Sequence, residues 1–144
     1  MRENKFKAWD KTKDRMSYPF SFGDCMDFGL GEGTAIRDGD KTFYLSWCEI
    51  MQYTGLKDKY GIDIYEGDIV EWTFIFKNDF GNPDKIDKSW YEVVYETDNP
   101  MHIAGFYFKD NNCKHNKYIC FYDFKEVEIV GNIYENPELI NNTP

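Results

Sequence analysis

Tyr-Glu-Gly-Asp-Ile-Val at residues 65–70 interrupts a regular apolar pattern within GLKDKYGIDIYEGDIVEWTFIF at residues 55–76. Apolar, β-branched residues alternate with polar ones before this segment and resume directly after it. Such alternation is typical of β-strands. Between the two runs, Gly67 supplies backbone freedom that a β-branched residue lacks, and the Asp68 carboxylate can accept hydrogen bonds from backbone amides. The segment therefore predicts a corner between two strands of a sheet.

A catalytic alternative for the same segment is an acid and base pair formed by Glu66 and Asp68. Two carboxylates can divide these roles only where burial separates their pKa values. The chain offers no paired histidines, no nucleophile beside a base and no glycine-rich loop before a helix. We therefore predict no catalytic residues and no cofactor. Nine residues of the corner and its neighbouring turns are predicted to be structural: Gly55, Asp58, Gly61, Tyr65, Glu66, Gly67, Asp68, Gly131 and Asn132.

The residues on either side of the corner predict a hairpin and a long strand. Asp58 and Gly61 suit the first and fourth positions of a type I turn, in which Gly61 takes a positive φ and forms a bulge. The strand after the corner places four apolar side chains on one face, which we expect to line the core: Val70, Trp72, Phe74 and Phe76.

The remaining pattern predicts a mainly β protein with little helix, in which roughly eight short strands form a small barrel or a folded sheet. Residues 1–144 are expected to form a single domain. Residues 21–40 hold five glycines and no sustained period, so we expect a variable connection there. Residues 77–89 are expected to form a polar loop. The segment NPELI near the end predicts a single helical turn.

Composition restricts the partners of the chain. Its formal net charge of −9 opposes a sequence-independent grip on nucleic acid, which requires clustered lysine and arginine. We therefore predict no binding to generic duplex DNA. One basic cluster near the start of the chain is expected to decorate a solvated hairpin: Lys5, Lys7, Lys11, Lys13 and Arg15. No apolar run approaches the ~20 residues of a membrane span, and the polar start is unlike a signal peptide, so we expect a cytoplasmic protein.

The four cysteines are scattered, with no C-x-x-C pair. Zinc could be bound by Cys113, His115 and Cys120, with His102 or Cys48 as the fourth ligand. Structural zinc sites usually present closely spaced ligand pairs, and this spacing is loose. We therefore predict no metal site and reduced cysteines that behave as small apolar residues.

Three blocks of the chain resemble the YopX family of phage and prophage proteins. They read KFKAWDKTKDRM at residues 5–16, EIMQYTGLKDKYGIDIYEGDIVEW at residues 49–72 and EIVGNIYENPEL at residues 128–139. The blocks occur in the family's order, and the central block is the most specific. The resemblance implies a largely β fold, a phage or prophage source and the cytoplasm of an infected or lysogenic bacterium. It implies no established activity, so no catalytic residue is carried over.

These observations support two functional hypotheses. The first is a non-enzymatic module that binds itself or a host or phage protein. Its support is the absence of a catalytic motif and a supply of 11 Tyr, 12 Phe and 4 Trp that exceeds the needs of one small core. The second is an acidic decoy that binds a host nucleic-acid-binding protein by imitating a phosphate surface.

Overall fold

A computed structural model of the chain describes residues 4–27, 33–97, 104–110, 117–120 and 126–141, with the backbone alone described over 117–120. The prediction of a mainly β fold is confirmed, and the strand pairs among the described residues are antiparallel. Twelve strands lie in the described residues, compared with the eight expected. They are β1 (Phe6–Asp10), β2 (Arg15–Met16), β3 (Cys25–Asp27), β4 (Thr34–Asp38), β5 (Lys41–Tyr44), β6 (Cys48–Lys57), β7 (Asp63–Tyr65), β8 (Asp68–Lys77), β9 (Pro83–Glu96), β10 (Gly105–Asp110), β11 (Lys117–Cys120) and β12 (Val127–Asn132).

Helical structure in the described residues is limited to three short segments and the single 3₁₀ residue Glu126. Two are single 3₁₀ turns, at Phe22–Asp24 and Leu45–Trp47. The third is the helix α1 (Glu138–Asn141), which follows Pro137 and confirms the predicted helical turn. No helix in the part of the chain that the structure describes is both long and apolar enough to cross a membrane.

The chain divides into two compact units, Met1–Gly55 and Leu56–Pro144. The prediction of a single domain over residues 1–144 stays a prediction. In the first unit, β1 pairs with β2 on one side and β6 on the other, and β3, β4 and β5 form a three-stranded sheet. The buried residues of this unit's main apolar cluster are Phe6, Ala8, Phe20, Ile36 and Phe43.

The predicted connection over residues 21–40 is more regular than its glycines indicate. It contains a 3₁₀ turn and the strands β3 and β4, while residues 28–32 lie outside the described part. Strand β4 is stabilised because Ala35 and Ile36 are fully or almost fully buried and residues 35–38 pair with β5. Part of this connection is therefore regular β structure, while its predicted variability stays a prediction.

The second unit is built on a five-stranded antiparallel sheet in the order β11-β10-β9-β8-β12. Strands β8 and β9 lie at its centre and pair from Ile69 opposite Glu92 to Lys77 opposite Pro83. Between Ile129 and Gly131 the pairing of β12 with β8 shifts by one residue, which marks a β-bulge. The buried residues of this unit's apolar cluster are Ile64, Val70, Tyr91, Val93, Phe108 and Val127.

The face predicted to line the core is only partly buried. Val70 is fully buried, and Trp72 packs against the cluster with its ring centroid 6.4 Å from that of Tyr91. The Phe74 side chain lies outside the described part. Phe76 is 51% exposed, so its predicted burial is wrong.

Phe76 is exposed because β8 and β9 continue beyond the core as a two-stranded hairpin. We call residues 73–88, from Thr73 to its pairing partner Lys88, the arm. Residue 77 and residues 83–89 lie in the paired strands, so only the turn at residues 78–82 remains of the polar loop predicted at residues 77–89. A strand pattern inside the arm has no core to face, which is why alternation alone misplaced Phe76.

The hairpin turn after β6 begins at Asp58, as the sequence predicts. The Asp58 amide donates to the Ile62 carbonyl at 2.8 Å, and the Gly61 amide donates to the Asp58 carbonyl at 3.0 Å. Gly61 takes a φ of 82°, in the left-handed region that glycine enters without strain. One oxygen of the Asp58 carboxylate accepts the amide hydrogens of Tyr60 and Ile62, each at 2.9 Å. The carboxylate therefore holds the turn closed.

The turn of the arm repeats this geometry at Asn78. The Asn78 amide donates to the Asn82 carbonyl at 2.9 Å, and the Gly81 amide donates to the Asn78 carbonyl at 2.8 Å. Gly81 has a φ of 77°. The Asn78 side-chain oxygen accepts the amides of Phe80 and Asn82, each at 3.0 Å. Both turns therefore share one pattern, an Asp or Asn followed by an aromatic residue two positions later and a glycine three positions later.

Two substitutions on the same face of β8 should separate the core from the arm. Trp72→Ala should lower the free energy of unfolding by about 3 kcal/mol, because it removes a ring packed against the apolar cluster. Phe76→Ala should change it by about 0.5 kcal/mol or less, because that ring is half exposed. Chemical denaturation of both variants measures the difference. Equal losses would contradict the boundary between core and arm.

Candidate functional site

The corner predicted at residues 65–70 is organised by the backbone of Gly67. This buried glycine has a φ of 82°. Its amide donates to the Val93 carbonyl at 2.7 Å, and its carbonyl accepts the Ile133 amide at 2.9 Å. The corner between β7 and β8 is thereby bonded to β9 and to the residue that follows β12.

The Asp68 side chain accepts a hydrogen bond from the backbone of the corner. Its side chain is buried, and one carboxylate oxygen accepts the Tyr65 amide at 2.7 Å. Glu66 lies between the two bonded residues and is half-buried. The Asp68 carboxylate thus closes a tight turn over residues 65–68, which is the use of a short acceptor side chain that the sequence indicates.

Asp58 links its own turn to β12. Its second carboxylate oxygen accepts the Ile129 amide at 3.3 Å. The neighbouring Lys59 amide donates to the Val127 carbonyl at 2.9 Å, and the Lys59 ammonium pairs with the Glu128 carboxylate at 2.6 Å. The turn is therefore attached to one edge of the large sheet by main-chain and side-chain bonds.

Asn132 closes the other end of β12. Its side-chain oxygen accepts the Tyr134 amide at 3.0 Å and the Glu135 amide at 2.9 Å, and its side-chain nitrogen donates to the Glu135 carboxylate. Gly131 leaves room for the Asn136 side chain, because a Cβ at residue 131 would lie 2.5 Å from the Asn136 side-chain oxygen and one of the two would have to shift. In register, Asn132 lies opposite Asp68, so this turn and the corner are neighbours.

The predicted structural residues thus occupy three adjoining turns around β12, with Gly55 as the exception. Gly55 ends the first unit with a φ of 88°. The two buried carboxylates of the set, Asp58 and Asp68, accept backbone amide hydrogens. Their structural role stays a prediction, which the substitutions below test.

Most of the candidate zinc ligands fall outside the described residues. His102, Cys113 and His115 are not described, and only the backbone of Cys120 is described. Within the described residues no group of three or more His, Cys, Asp or Glu side chains is placed to hold a metal ion. Burial raises the pKa of the Cys48 thiol to about 11, so this cysteine is a weak nucleophile at neutral pH.

Residues of the predicted basic cluster make contacts within the first unit. The Lys11 ammonium pairs with the Glu49 carboxylate at 2.8 Å, and the Arg15 guanidinium donates to the Thr42 carbonyl at 2.8 Å. The Lys5 ammonium lies 5.3 Å from the centroid of the Tyr53 ring. These cations therefore contact groups of their own unit, and they do not form a set of free charges at one surface.

The arm is the surface feature that sequence reasoning missed. Ile75 and Ile86 lie opposite each other on one face, and they are 56% and 62% exposed. Phe80 in the turn is 89% exposed, more than any other large hydrophobic residue among those described. The missed signal was the repeated turn pattern at Asn78, which identifies a second hairpin where polarity alone indicated a loop.

The base of the arm is fixed by Glu71 on the same face as Ile75. Its carboxylate accepts from the Lys88 ammonium at 2.6 Å and from the Trp90 indole nitrogen at 3.0 Å. These two hydrogen bonds, that of Lys88 first, lower the pKa of the Glu71 carboxyl below its usual value. The Glu71 carboxylate on β8 thus bonds to two residues of β9 at the point where the arm leaves the core, and these bonds help to hold the two strands together there.

Substitutions at the corner should distinguish a backbone role from a carboxylate role. Gly67→Val should lower the free energy of unfolding by roughly 2 kcal/mol or more, because a β-branched residue is strained at positive φ. Glu66→Gln should change it by about 0.5 kcal/mol or less. Denaturant midpoints measure both effects. An unchanged midpoint for Gly67→Val would refute the corner.

Asp58 offers a graded test of the hairpin turn. Asp58→Ala should lower the free energy of unfolding by about 2–3 kcal/mol, because three backbone amides lose their acceptor. Asp58→Asn should lose only about 1 kcal/mol, because an asparagine oxygen can still accept two of those amides, as Asn78 does in the arm. Thermal or chemical unfolding of the two variants compares the losses. The turn assignment fails if asparagine is no better than alanine.

Comparison with known proteins agrees with the resemblance of the three sequence blocks. The family profile described as YopX protein matches residues 5–141. Among solved structures, the chain is similar to one described as the crystal structure of protein EF1440 from Enterococcus faecalis. That similarity has 25% sequence identity and a TM-score of 0.55, and it covers 97% of this chain and 99% of that chain. No curated protein matches the chain. The family profile spans both units and every turn described above, and the chain therefore belongs to the YopX family.

Proposed function

We propose that this phage-type protein is a non-enzymatic interaction module that acts in the bacterial cytoplasm and associates with its own copies. The observation that carries the proposal is the arm, in which aliphatic and aromatic side chains are exposed on a hairpin that extends past its core. Contiguous exposed apolar surface on a soluble protein usually marks a binding surface.

The distribution of aromatic residues supports the same function. The sequence contains more aromatic side chains than one small core requires, and several of them are more than half exposed. These are Tyr18, Phe22, Trp47, Tyr60, Phe76 and Phe80. Aromatic side chains are enriched in protein interfaces because they supply large contact areas at a low entropic cost.

The second hypothesis, an acidic decoy, has less support. A decoy needs carboxylates that are free at one surface, as the phosphates of nucleic acid are. In the acidic segment at residues 66–71, Asp68 is buried against a backbone amide and Glu71 is paired with Lys88. In the segment at residues 124–128, Glu128 is paired with Lys59. These pairs neutralise part of the surface that a decoy would present.

A role in binding generic duplex DNA has still less support. The chain carries a net charge of −9, and among its candidate N-terminal cations Lys5, Lys11 and Arg15 contact groups of their own unit. Attraction to the phosphate backbone is the main sequence-independent contribution to DNA affinity. Without it, we expect no such binding at physiological salt.

Light scattering after size exclusion should detect a homo-oligomer at micromolar concentration. At about 0.15 M salt the screening length is near 8 Å, so a local apolar contact can overcome the repulsion between two acidic copies. In the same buffer, a gel-shift titration with duplex DNA should show no shifted species.

Light scattering tests self-association, and the gel shift tests DNA binding. A protein that stays monomeric across the concentration series would reject self-association. A shifted duplex whose affinity falls steeply with salt would show phosphate contacts and would reject the proposed absence of DNA binding.

A further inference from the structure

The arm leaves backbone groups available along both of its outer sides. β12 pairs with β8 only from Asp68 to Trp72, and β10 pairs with β9 only from Glu92 to Glu96. Among the described residues, the two strands of the arm therefore pair with each other and with no third strand. Open strand edges of this kind can accept another strand.

The two edges differ in composition. The β9 edge begins at Pro83, which has no amide hydrogen, and it carries charges of both signs along DKIDK at residues 84–88. Proline and lysine are features with which proteins block edge pairing. The β8 edge reads TFIFK at residues 73–77, with no proline, a single charge and four residues of high β-propensity. The β8 edge therefore lacks the residues that block pairing and is the better suited of the two to accept another strand.

The charge of the arm favours a second copy as the occupant. The chain has a formal net charge of −9, so two copies repel each other over most of their surface. Residues 73–88 are an exception, because their three lysines and three aspartates give a formal charge of zero. Contact through the arms brings together the parts of two copies between which this repulsion is weakest.

We propose that residues 73–77 of β8 pair antiparallel with the same residues of a second copy, around a two-fold axis at Ile75. This pairing rests on the proposed self-association and names the surface that produces it. A two-fold contact uses the same patch on both copies. The resulting four-stranded sheet has the order β9-β8-β8-β9, with one β8 and one β9 from each copy.

The pairing creates an apolar row across the new sheet. Ile75 lies opposite Ile86 within one arm, on the face that also carries Glu71 and Trp90. With Ile75 on the axis, it also lies opposite Ile75 of the second copy. Four isoleucine side chains then lie side by side, and cross-strand contacts between β-branched side chains stabilise such a sheet.

A lysine substitution tests the position of the axis. Ile75→Lys places two like charges against each other at the two-fold axis, and should weaken self-association at least tenfold. Ile62→Lys is the matched control, since Ile62 is 55% exposed in a different hairpin, and it should associate as the unsubstituted protein does. Light scattering across a concentration series measures all three proteins.

A cysteine substitution tests the register. Residues directly opposite in an antiparallel pair have Cα atoms about 4.5–5.5 Å apart, which suits a disulfide. Under mild oxidation, Ile75→Cys should form a disulfide-linked dimer on a non-reducing gel. Cysteine at position 86, introduced by Ile86→Cys, lies one strand away from the axis, so this variant should form far less disulfide-linked dimer. The unsubstituted protein, with its four native cysteines, should also form far less of it.

The outcomes separate this pairing from the proposed function. If the unsubstituted protein associates and Ile75→Lys associates equally well, the arm is not the interface, while self-association stands. Equal cross-linking of Ile75→Cys and Ile86→Cys would reject the two-fold axis at Ile75 and would leave the proposed self-association standing. If the unsubstituted protein is monomeric throughout, both proposals are rejected.

Discussion

Gly67 donates its amide to the Val93 carbonyl and its carbonyl accepts the Ile133 amide, so these two bonds join the corner between β7 and β8 to β9 and to the residue that follows β12. They require a backbone at positive φ inside a buried corner, which no β-branched residue adopts without strain. Asp68 completes the corner by accepting the Tyr65 amide. From this corner β8 enters the sheet, where it pairs with β9 on one side and with β12 on the other. The arm is a continuation of the same two central strands.

The features that the sequence predicted correctly depend on local backbone chemistry. The turn at Asp58, the corner at Gly67 and the single helical turn after Pro137 each require particular residues within four or five positions. The burial of Val70 also follows from alternation next to the corner. These features were predictable because the interactions that produce them lie within the segment that displays the pattern.

The features that were missed depend on what lies opposite a strand. Phe76 continues the alternation of Val70 and Trp72, but it lies beyond the end of the apolar core. A period-two pattern contains no information about where a core ends. Ile36 is buried in β4 because other strands cover it, although glycines surround it in sequence. The candidate interaction surface was missed for the same reason, since exposure on a hairpin follows from the length of paired strands. Only the repeated turn pattern at Asn78 could have revealed it.

The hydrogen-bond pattern that the turns at Asp58 and Asn78 share has a consequence for how the arm can change in length. A turn that is closed by its own side chain and glycine does not depend on the strands that lead into it. Two residues added to each strand of the arm would lengthen it by about 7 Å, since a strand rises ~3.4 Å per residue. An addition of two preserves the side-chain alternation, so the faces of the sheet and the register at Glu71 would be unaltered. The reach of the arm can therefore vary by insertion and deletion while the core beneath it keeps its packing.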